Sequence, residues 1–157
     1  MKSYEVIGID LAGKESNPTG LCIISPEKTE TLEIFSDMKI FEKVEIERLD
    51  LIAIDAPFGF PTSGWYGDSD RKLMEIGLKP LPPKFPGMKH LVFRAMRIVK
   101  ALRSQGFNVI EVFPRATEKI LKTEGKKSHC YDARKERRPD QLVKVVYRVC
   151  ALTGKLY

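Results

Sequence analysis

The sequence has few cysteines and histidines, and it lacks the motifs of several common classes of site. Its three cysteines are scattered without CxxC spacing, and only two histidines occur among the 157 residues. A disulfide framework or a zinc site is therefore not expected. The sequence also has no GxxxxGK[ST] loop for nucleotide phosphates and no Ser/His/Asp or Cys/His nucleophile pattern.

Long apolar runs are absent as well. No segment approaches the roughly 20 apolar residues that cross a bilayer. The N-terminus passes from Met1-Lys2-Ser3 into strand-like sequence without the apolar region of a signal peptide, which predicts a cytoplasmic chain and no membrane partner. The apolar fraction of 43% and the charged fraction of 31% are typical of a globular protein. Without an internal repeat or a linker, residues 1–157 are expected to form a single domain.

Two short apolar runs each end in one aspartate. Residues 4–10 and 51–55 are typical of buried strands, and they end in Asp10 and Asp55. Strand C-termini in an α/β sheet are where ligands and catalytic groups collect. If the two strands are neighbours, the carboxylates point at one spot and repel each other unless a cation lies between them. The alternative role of each aspartate is a turn former or a helix cap.

The order of the predicted elements indicates an α/β fold. The patterns predict strands at 4–10, 21–24 and 29–35, a helix at 37–48, a strand at 51–55, a short helix ending near 77, a helix at 88–105 ended by Gly106, a strand at 107–113, and helices at 115–123 and 139–152. Met38, Phe41, Val44 and Ile46 are the expected apolar stripe of the first helix.

A mixed five-stranded sheet with helices on both faces accommodates this order. The first three strands form an antiparallel meander, and the two later strands need crossover helices to run parallel to the first. This is the element order of a ribonuclease H-like domain, in which the first and fourth strands are adjacent. In that arrangement Asp10 and Asp55 lie side by side.

Further acidic residues could complete such a site. Glu111 interrupts an apolar strand, so its carboxylate must be paired or must face a polar cleft. Asp70 lies near the start of a helix beside Arg71, where it could be catalytic, cap the helix or form an ion pair. Asp10, Asp55 and Glu111 are the expected ligands of Mg²⁺ or Mn²⁺, with Asp70 completing or orienting the site. A pair of such ions can activate water and stabilise the leaving oxygen of a phosphodiester.

The positive charge lies mainly in the C-terminal third. Residues 114–157 contain 12 Lys/Arg and 5 Asp/Glu, whereas residues 1–113 contain 15 and 16. This asymmetry suggests a polyanionic partner, with nucleic acid first, although a solvated basic helix and loop is the alternative. The expected phosphate contacts lie in the loop before the last helix: Lys126, Lys127, Arg134, Lys135, Arg137 and Arg138.

Two other kinds of residue could serve a nucleic-acid substrate. His129, in the same basic loop, could transfer a proton to or from a leaving group, or it could be a surface histidine without a role. The loop after Asp55 contains aromatic residues that could stack on bases or fix the loop to the core: Phe58, Phe60, Trp65 and Tyr66.

Several motifs resemble those of domain-of-unknown-function family 429, described as predicted ribonuclease H-like nucleases. They are Gly8-Ile9-Asp10-Leu11-Ala12, Ile54-Asp55-Ala56-Pro57, Asp70-Arg71 followed by Glu75, Gly87-Met88, Glu111-Val112-Phe113-Pro114-Arg115-Ala116 and Cys150-Ala151-Leu152-Thr153-Gly154. The resemblance implies a ribonuclease H-like fold and a metal-dependent nuclease.

The resemblance also implies the acidic positions Asp10, Asp55, Asp70 and Glu111. One departure concerns the last helix, where such proteins commonly carry an Asp-Ala pair. This chain reads Val145-Val146-Tyr147-Arg148-Val149 there, without an acid. Either Glu111 or Asp132 replaces the missing carboxylate, or metal binding is weakened.

The sequence thus predicts a divalent-metal-dependent nuclease acting on DNA or RNA. A first alternative is a nucleic-acid-binding module of the same fold that has lost catalysis, which the missing last-helix acid favours. A second alternative is an actin-like phosphotransferase or ATP-binding protein, because Gly8-Ile9-Asp10-Leu11-Ala12-Gly13 is similar to the first phosphate-binding turn of those proteins.

Overall fold

A five-stranded mixed sheet is the centre of the fold. The computed structural model describes residues 5–25, 27–47 and 49–123. The strands are β1 (Val6–Asp10), β2 (Thr19–Ile24), β3 (Thr29–Ile34), β4 (Leu51–Asp55) and β5 (Val109–Glu111). The helices are α1 (Asp37–Ile46), α2 (Asp68–Glu75), α3 (Lys89–Ser104) and α4 (Pro114–Thr123), with a single 3₁₀ turn at Pro86–Met88 before α3.

The strand order is β3-β2-β1-β4-β5. The pairs β1–β2 and β2–β3 are antiparallel, whereas β1–β4 and β4–β5 are parallel. The helices α1 and α3 precede β4 and β5 along the chain and supply the crossovers that parallel strands require. The predicted α/β class and mixed five-stranded sheet are therefore confirmed.

The main core lies on one face of the sheet. Alternate strand residues point into it, and residues of α1 and α3 cover them: Ile7, Ile9, Ile52, Ile54, Ile40, Val44, Ala95, Ile98 and Leu102. On the opposite face, Val6, Leu51 and Ala53 form a separate buried cluster. The central strands are thus buried on both faces, as their continuous apolar runs predict. The helix predicted at 139–152 lies outside the described residues.

The apolar stripe predicted for α1 is partly wrong. Ile40 and Val44 are the buried residues of this helix, whereas Met38 and Ile46 are exposed. The helix begins after Ser36, whose hydroxyl accepts a hydrogen bond from the Lys39 N–H at 3.4 Å. Because successive residues are rotated by about 100°, Met38 lies roughly 200° from Ile40 around the axis.

The end of α3 is set by Gly106, as predicted. Gly106 adopts a φ of 89°, its N–H donates to the Arg103 carbonyl at 3.0 Å, and the Phe107 N–H donates to the Leu102 carbonyl at 3.1 Å. This pair of bonds is a Schellman motif, which favours glycine because of the positive φ. It turns the chain directly into β5. Within the part of the chain that the structure describes, no helix has the length and apolarity needed to span a bilayer.

Candidate active site

Asp10 and Asp55 lie side by side at one edge of the sheet. Each is the last residue of its strand, and the parallel pairing of β1 with β4 places them in direct register. Neighbouring strands are about 4.8 Å apart, so the register holds the backbones of these two residues close together. Asp10 is exposed and Asp55 is half-buried. This is the juxtaposition that the sequence predicts.

Both aspartates leave the sheet on the same face. Side chains alternate along a strand, so Asp10 shares a face with Val6, and Asp55 shares a face with Leu51 and Ala53. Val6, Leu51 and Ala53 pack in one cluster, which identifies this face as the one opposite the main core. The carboxylate pair therefore borders the smaller cluster rather than the core under α1 and α3.

Glu111 belongs to the other face. It is in register with Ile54, and it shares its side of β5 with Val109; both Ile54 and Val109 lie in the main core. One Glu111 carboxylate oxygen accepts a hydrogen bond from the Phe58 N–H at 2.9 Å. Phe58 comes three residues after Asp55, so Glu111 fixes the start of the loop that leaves the carboxylate pair.

Asp70 caps a helix. It lies in the first turn of α2, where its carboxylate accepts a hydrogen bond from the Gly67 N–H at 2.9 Å. A carboxylate at this position stabilises the unpaired donors and the positive end of the helix. Arg71 forms its ion pair with Asp68, at 3.6 Å, and not with Asp70. The cap is thus the role that the structure supports for Asp70, and Glu75 lies exposed at the end of α2.

The carboxyl group of Glu111 has a raised pKa. The main cause is desolvation by the surrounding protein, although Glu111 is exposed overall, and the negative charge of Asp70 adds a smaller effect. The hydrogen bond from the Phe58 N–H opposes the rise. Glu111 therefore lies within electrostatic reach of Asp70.

We expect Glu111→Gln to stabilise the protein at neutral pH. Because the folded-state pKa of Glu111 is raised, the folded state binds the carboxyl proton of Glu111 more tightly than the unfolded chain does. The free energy of unfolding therefore falls as the pH rises through that pKa. Gln lacks the charge but can still accept from the Phe58 N–H. In EDTA, the melting temperature of the variant should exceed that of the wild type at pH 7.

The difference should disappear below about pH 4, near the ordinary pKa of an unfolded glutamate. Glu33→Gln, at an exposed position on β3, serves as the control. It should leave the melting temperature unchanged both at pH 7 and below about pH 4. A constant difference between Glu111→Gln and the wild type at every pH would show that the charge of Glu111 is not its cause.

A buried arginine organises the loop that follows Asp10. Arg94, on α3, is only 4% exposed. Its guanidinium donates to the Ala12 carbonyl at 2.7 Å, to the Phe35 carbonyl at 3.1 Å and to the Asp37 carboxylate at 2.7 Å. The Ala12 N–H donates in turn to the Thr19 hydroxyl at 3.2 Å. Both ends of the loop from β1 to β2 are therefore fixed against α3.

Sequence reasoning missed Arg94 and Thr19. A signal for Arg94 was present, because it lies three residues after Leu91 and four before Ile98, within the apolar stripe of a strongly periodic helix. A charged residue at such a position must be paired once it is buried. No comparable signal marks Thr19, whose hydroxyl acts through a turn that the sequence does not specify.

Mg²⁺ and Mn²⁺ are bound by oxygen ligands, above all carboxylates. Among residues 5–25, 27–47 and 49–123, no group of three or more His, Cys, Asp or Glu side chains is arranged to hold a metal ion. Asp10, Asp55 and Glu111 are accordingly not grouped in such a cluster. Two adjacent carboxylates nevertheless fit Mg²⁺, which commonly binds one or two carboxylates and keeps several waters. Asp10 and Asp55 meet that requirement.

The remaining predicted site residues lie outside the described part of the chain. They are Lys126, Lys127, His129, Asp132, Arg134, Lys135, Arg137 and Arg138. Of the loop aromatics, Phe58 packs against the main core, with the Arg103 guanidinium 5.5 Å from its ring centroid. Phe58 therefore fixes the loop after Asp55, whereas Trp65 is largely exposed.

No protein-family model matches this chain, and comparison with curated proteins gives no match. The resemblance to domain-of-unknown-function family 429 therefore depends on the motifs alone.

Proposed function

We propose that this chain is a ribonuclease H-like nuclease that hydrolyses phosphodiester bonds with the help of a divalent metal ion. The observation that carries the proposal is the direct register of Asp10 with Asp55 at the ends of two adjacent parallel strands. The crevice at such strand ends is the usual ligand site of an open α/β sheet. The motifs around both aspartates also resemble those of predicted nucleases. Nucleic acid is the proposed substrate and the cytoplasm the proposed compartment.

Each residue of the site has a distinct role in this proposal. Asp10 and Asp55 hold Mg²⁺ or Mn²⁺, and the chemistry that the ion supplies when bound is activation of water and stabilisation of charge on the phosphodiester. Glu111 positions the loop after Asp55 through the Phe58 N–H. Arg94 positions the loop after Asp10 through the Ala12 carbonyl.

A second candidate is a nucleic-acid-binding module without catalysis. The observation that favours it is the engagement of two of the four predicted acids in backbone hydrogen bonds, Glu111 with Phe58 and Asp70 with Gly67. Residues 145–149, which the sequence predicts to be helical, also lack the acid that the resemblance implies. Such a chain would bind polynucleotide through its basic residues and leave it intact.

A cleavage assay with the wild-type protein separates these candidates. We expect labelled DNA or RNA to be cut in Mn²⁺ and to remain intact in EDTA, with calorimetric titration showing Mn²⁺ binding in the absence of substrate. Salt-sensitive binding to polynucleotide without cleavage would identify the binding module. Tight ATP binding without affinity for polynucleotide would identify the phosphotransferase alternative instead.

A further inference from the structure

The exposed face of α3 is basic and contains an aromatic ring. The helix has five Lys/Arg residues and no acid. Arg94 is the buried one, and the others lie on the exposed face together with His90, Phe93 and Met96: Lys89, Arg97, Lys100 and Arg103. Lys89, Phe93 and Lys100 follow one another at helical spacing, so they form a stripe along the helix. We name Lys89, Phe93, Lys100 and the neighbouring Phe60 the α3 stripe.

An aromatic pair stands at the centre of the α3 stripe. The rings of Phe60 and Phe93 meet edge to face, with their centroids 5.0 Å apart and an interplanar angle of 62°. Phe93 nevertheless remains 60% exposed. The contact with Phe60 restrains this ring while leaving much of its surface open to solvent. A restrained, exposed ring is suited to stacking with a planar group.

Short loops lead from both aspartates to α3. Phe60 follows Asp55 by five residues. A Cβ added to Gly13, three residues after Asp10, would lie 3.6 Å from the Leu91 backbone nitrogen and 3.9 Å from the His90 Cβ. The first turn of α3 therefore lies against the loop that leaves Asp10, while Phe93 contacts the loop that leaves Asp55. Because the carboxylate pair borders the face opposite α3, a strand bound along the α3 stripe would reach it around the end of the sheet, past these two loops.

The charge of the α3 stripe is not cancelled by neighbouring acids. Arg97 pairs with Asp37 at 2.7 Å and approaches Glu15 at 4.0 Å. Lys89 and Lys100, in contrast, form no ion pair with any residue that the structure describes. They leave two positive charges on either side of Phe93, about 16 Å apart along the helix axis at 1.5 Å per residue.

We propose that the α3 stripe binds single-stranded nucleic acid, with one base stacked on Phe93 and phosphate groups beside Lys89 and Lys100. Single strands are bound by this combination of aromatic stacking and positive charge. A duplex fits this surface less well, because its bases are already stacked and paired and cannot stack on Phe93. An acidic peptide would use the lysines but would not require the ring. The inference rests on the proposed function, because it identifies the substrate of that site as single-stranded.

Fluorescence anisotropy with a labelled single-stranded oligonucleotide tests the aromatic contact. The assay is run in EDTA, so cleavage does not enter. Phe93→Ala should bind about tenfold more weakly, the scale of one lost stacking contact, whereas Phe93→Trp should bind like the wild type. Phe35→Ala removes an exposed phenylalanine outside α3 and should leave the affinity unchanged. A duplex of the same sequence should not respond to Phe93→Ala.

The salt dependence of binding tests the charges. Replacing Lys89 and Lys100 by Ala should reduce the slope of log K against log[salt] by about 1.4, because each phosphate contact on a single strand contributes about 0.7. Lys39→Ala, on α1, is the control. Circular dichroism confirms that each variant is folded.

Two outcomes would overturn the inference. The first is an affinity of Phe93→Ala within twofold of the wild type, including the case in which neither protein binds the oligonucleotide. The second is competition by polyglutamate as effective as that by the oligonucleotide, without dependence on Phe93, which would identify an acidic protein as the partner. Binding that depends on Phe93 without any Mn²⁺-dependent cleavage would overturn the proposed nuclease activity and leave this surface in place.

Discussion

Asp10→Asn and Asp55→Asn should each reduce Mn²⁺-dependent cleavage at least about 100-fold. Loss of an outer-shell group that only supports a metal ligand reduces metal affinity or activity about 10–100-fold. Loss of the charge on a ligand itself should therefore reduce activity by at least the upper end of that range. The substitution keeps the size of the side chain and removes one negative charge. Because the two residues are in register, removing either one halves the negative charge that the proposed site offers to a cation.

Metal binding provides a readout that does not depend on activity. In the wild type, Mn²⁺ should raise the melting temperature, since a ligand that binds only the folded state stabilises it by mass action. This rise should be absent in both variants at the same Mn²⁺ concentration. Calorimetric titration should show the corresponding loss of Mn²⁺ affinity.

Asp50→Asn is the matched control for this experiment. Asp50 immediately precedes β4, at the opposite end of the strand from Asp55, and its carboxylate accepts a hydrogen bond from the Glu5 N–H at 2.9 Å. An amide oxygen can also accept that bond, so the variant should fold and cleave like the wild type. Cleavage that survives in both Asp10→Asn and Asp55→Asn would refute the proposed site.

The Glu111→Gln variant tests whether Glu111 is a metal ligand or a residue that positions the loop after Asp55. If Glu111 acts through the Phe58 N–H, the amide can take over that hydrogen bond, and most of the cleavage should remain. If Glu111 instead binds the cation directly, the loss of cleavage in Glu111→Gln should match the loss in Asp10→Asn. The structure supports the first result, because Glu111 and the aspartate pair start from opposite faces of the sheet.

The aspartate pair was predictable because it depends on local patterns. Two apolar runs of strand length, each ending in one aspartate, give the position of both residues along their strands. An antiparallel meander followed by a crossover helix then makes β1 and β4 plausible neighbours, and the structure has them paired in parallel. Little long-range information was needed beyond the order of the elements.

The face on which Glu111 lies could not be predicted, because it depends on register. Glu111 is paired with Ile54; a shift of one residue would pair it with Asp55 and place it on the same face as the aspartates. The sequences of β4 and β5 do not specify their register. The register is set by the tertiary packing of Val109 into the main core. The roles of Glu111 and Arg94 therefore became visible only in the folded chain.

Arg94→Met should be the most destabilising substitution among the described residues that we consider. Breaking a buried, hydrogen-bonded charge cluster by removing one partner costs about 3–5 kcal/mol. Here Asp37 keeps its second partner, Arg97, so we expect the lower end, about 3 kcal/mol. For a chain of this length the melting temperature should fall by about 6–12 °C. Equilibrium denaturation and calorimetry measure the two quantities.

Arg97→Met is the matched control, because Arg97 contacts the same carboxylate from the surface. Arg97 is 70% exposed, and exposed ion pairs contribute about 0–1 kcal/mol. Arg94→Lys should lie between the two variants, since a single ammonium cannot reach Asp37, Ala12 and Phe35 together. Equal losses in Arg94→Met and Arg97→Met would mean that the shared ion pair dominates and that the bonds to the Ala12 and Phe35 carbonyls contribute little. A larger loss in Arg94→Met, accompanied by weaker Mn²⁺ binding well below the melting temperature, would show that Arg94 holds the Asp10 loop in the geometry that the metal requires.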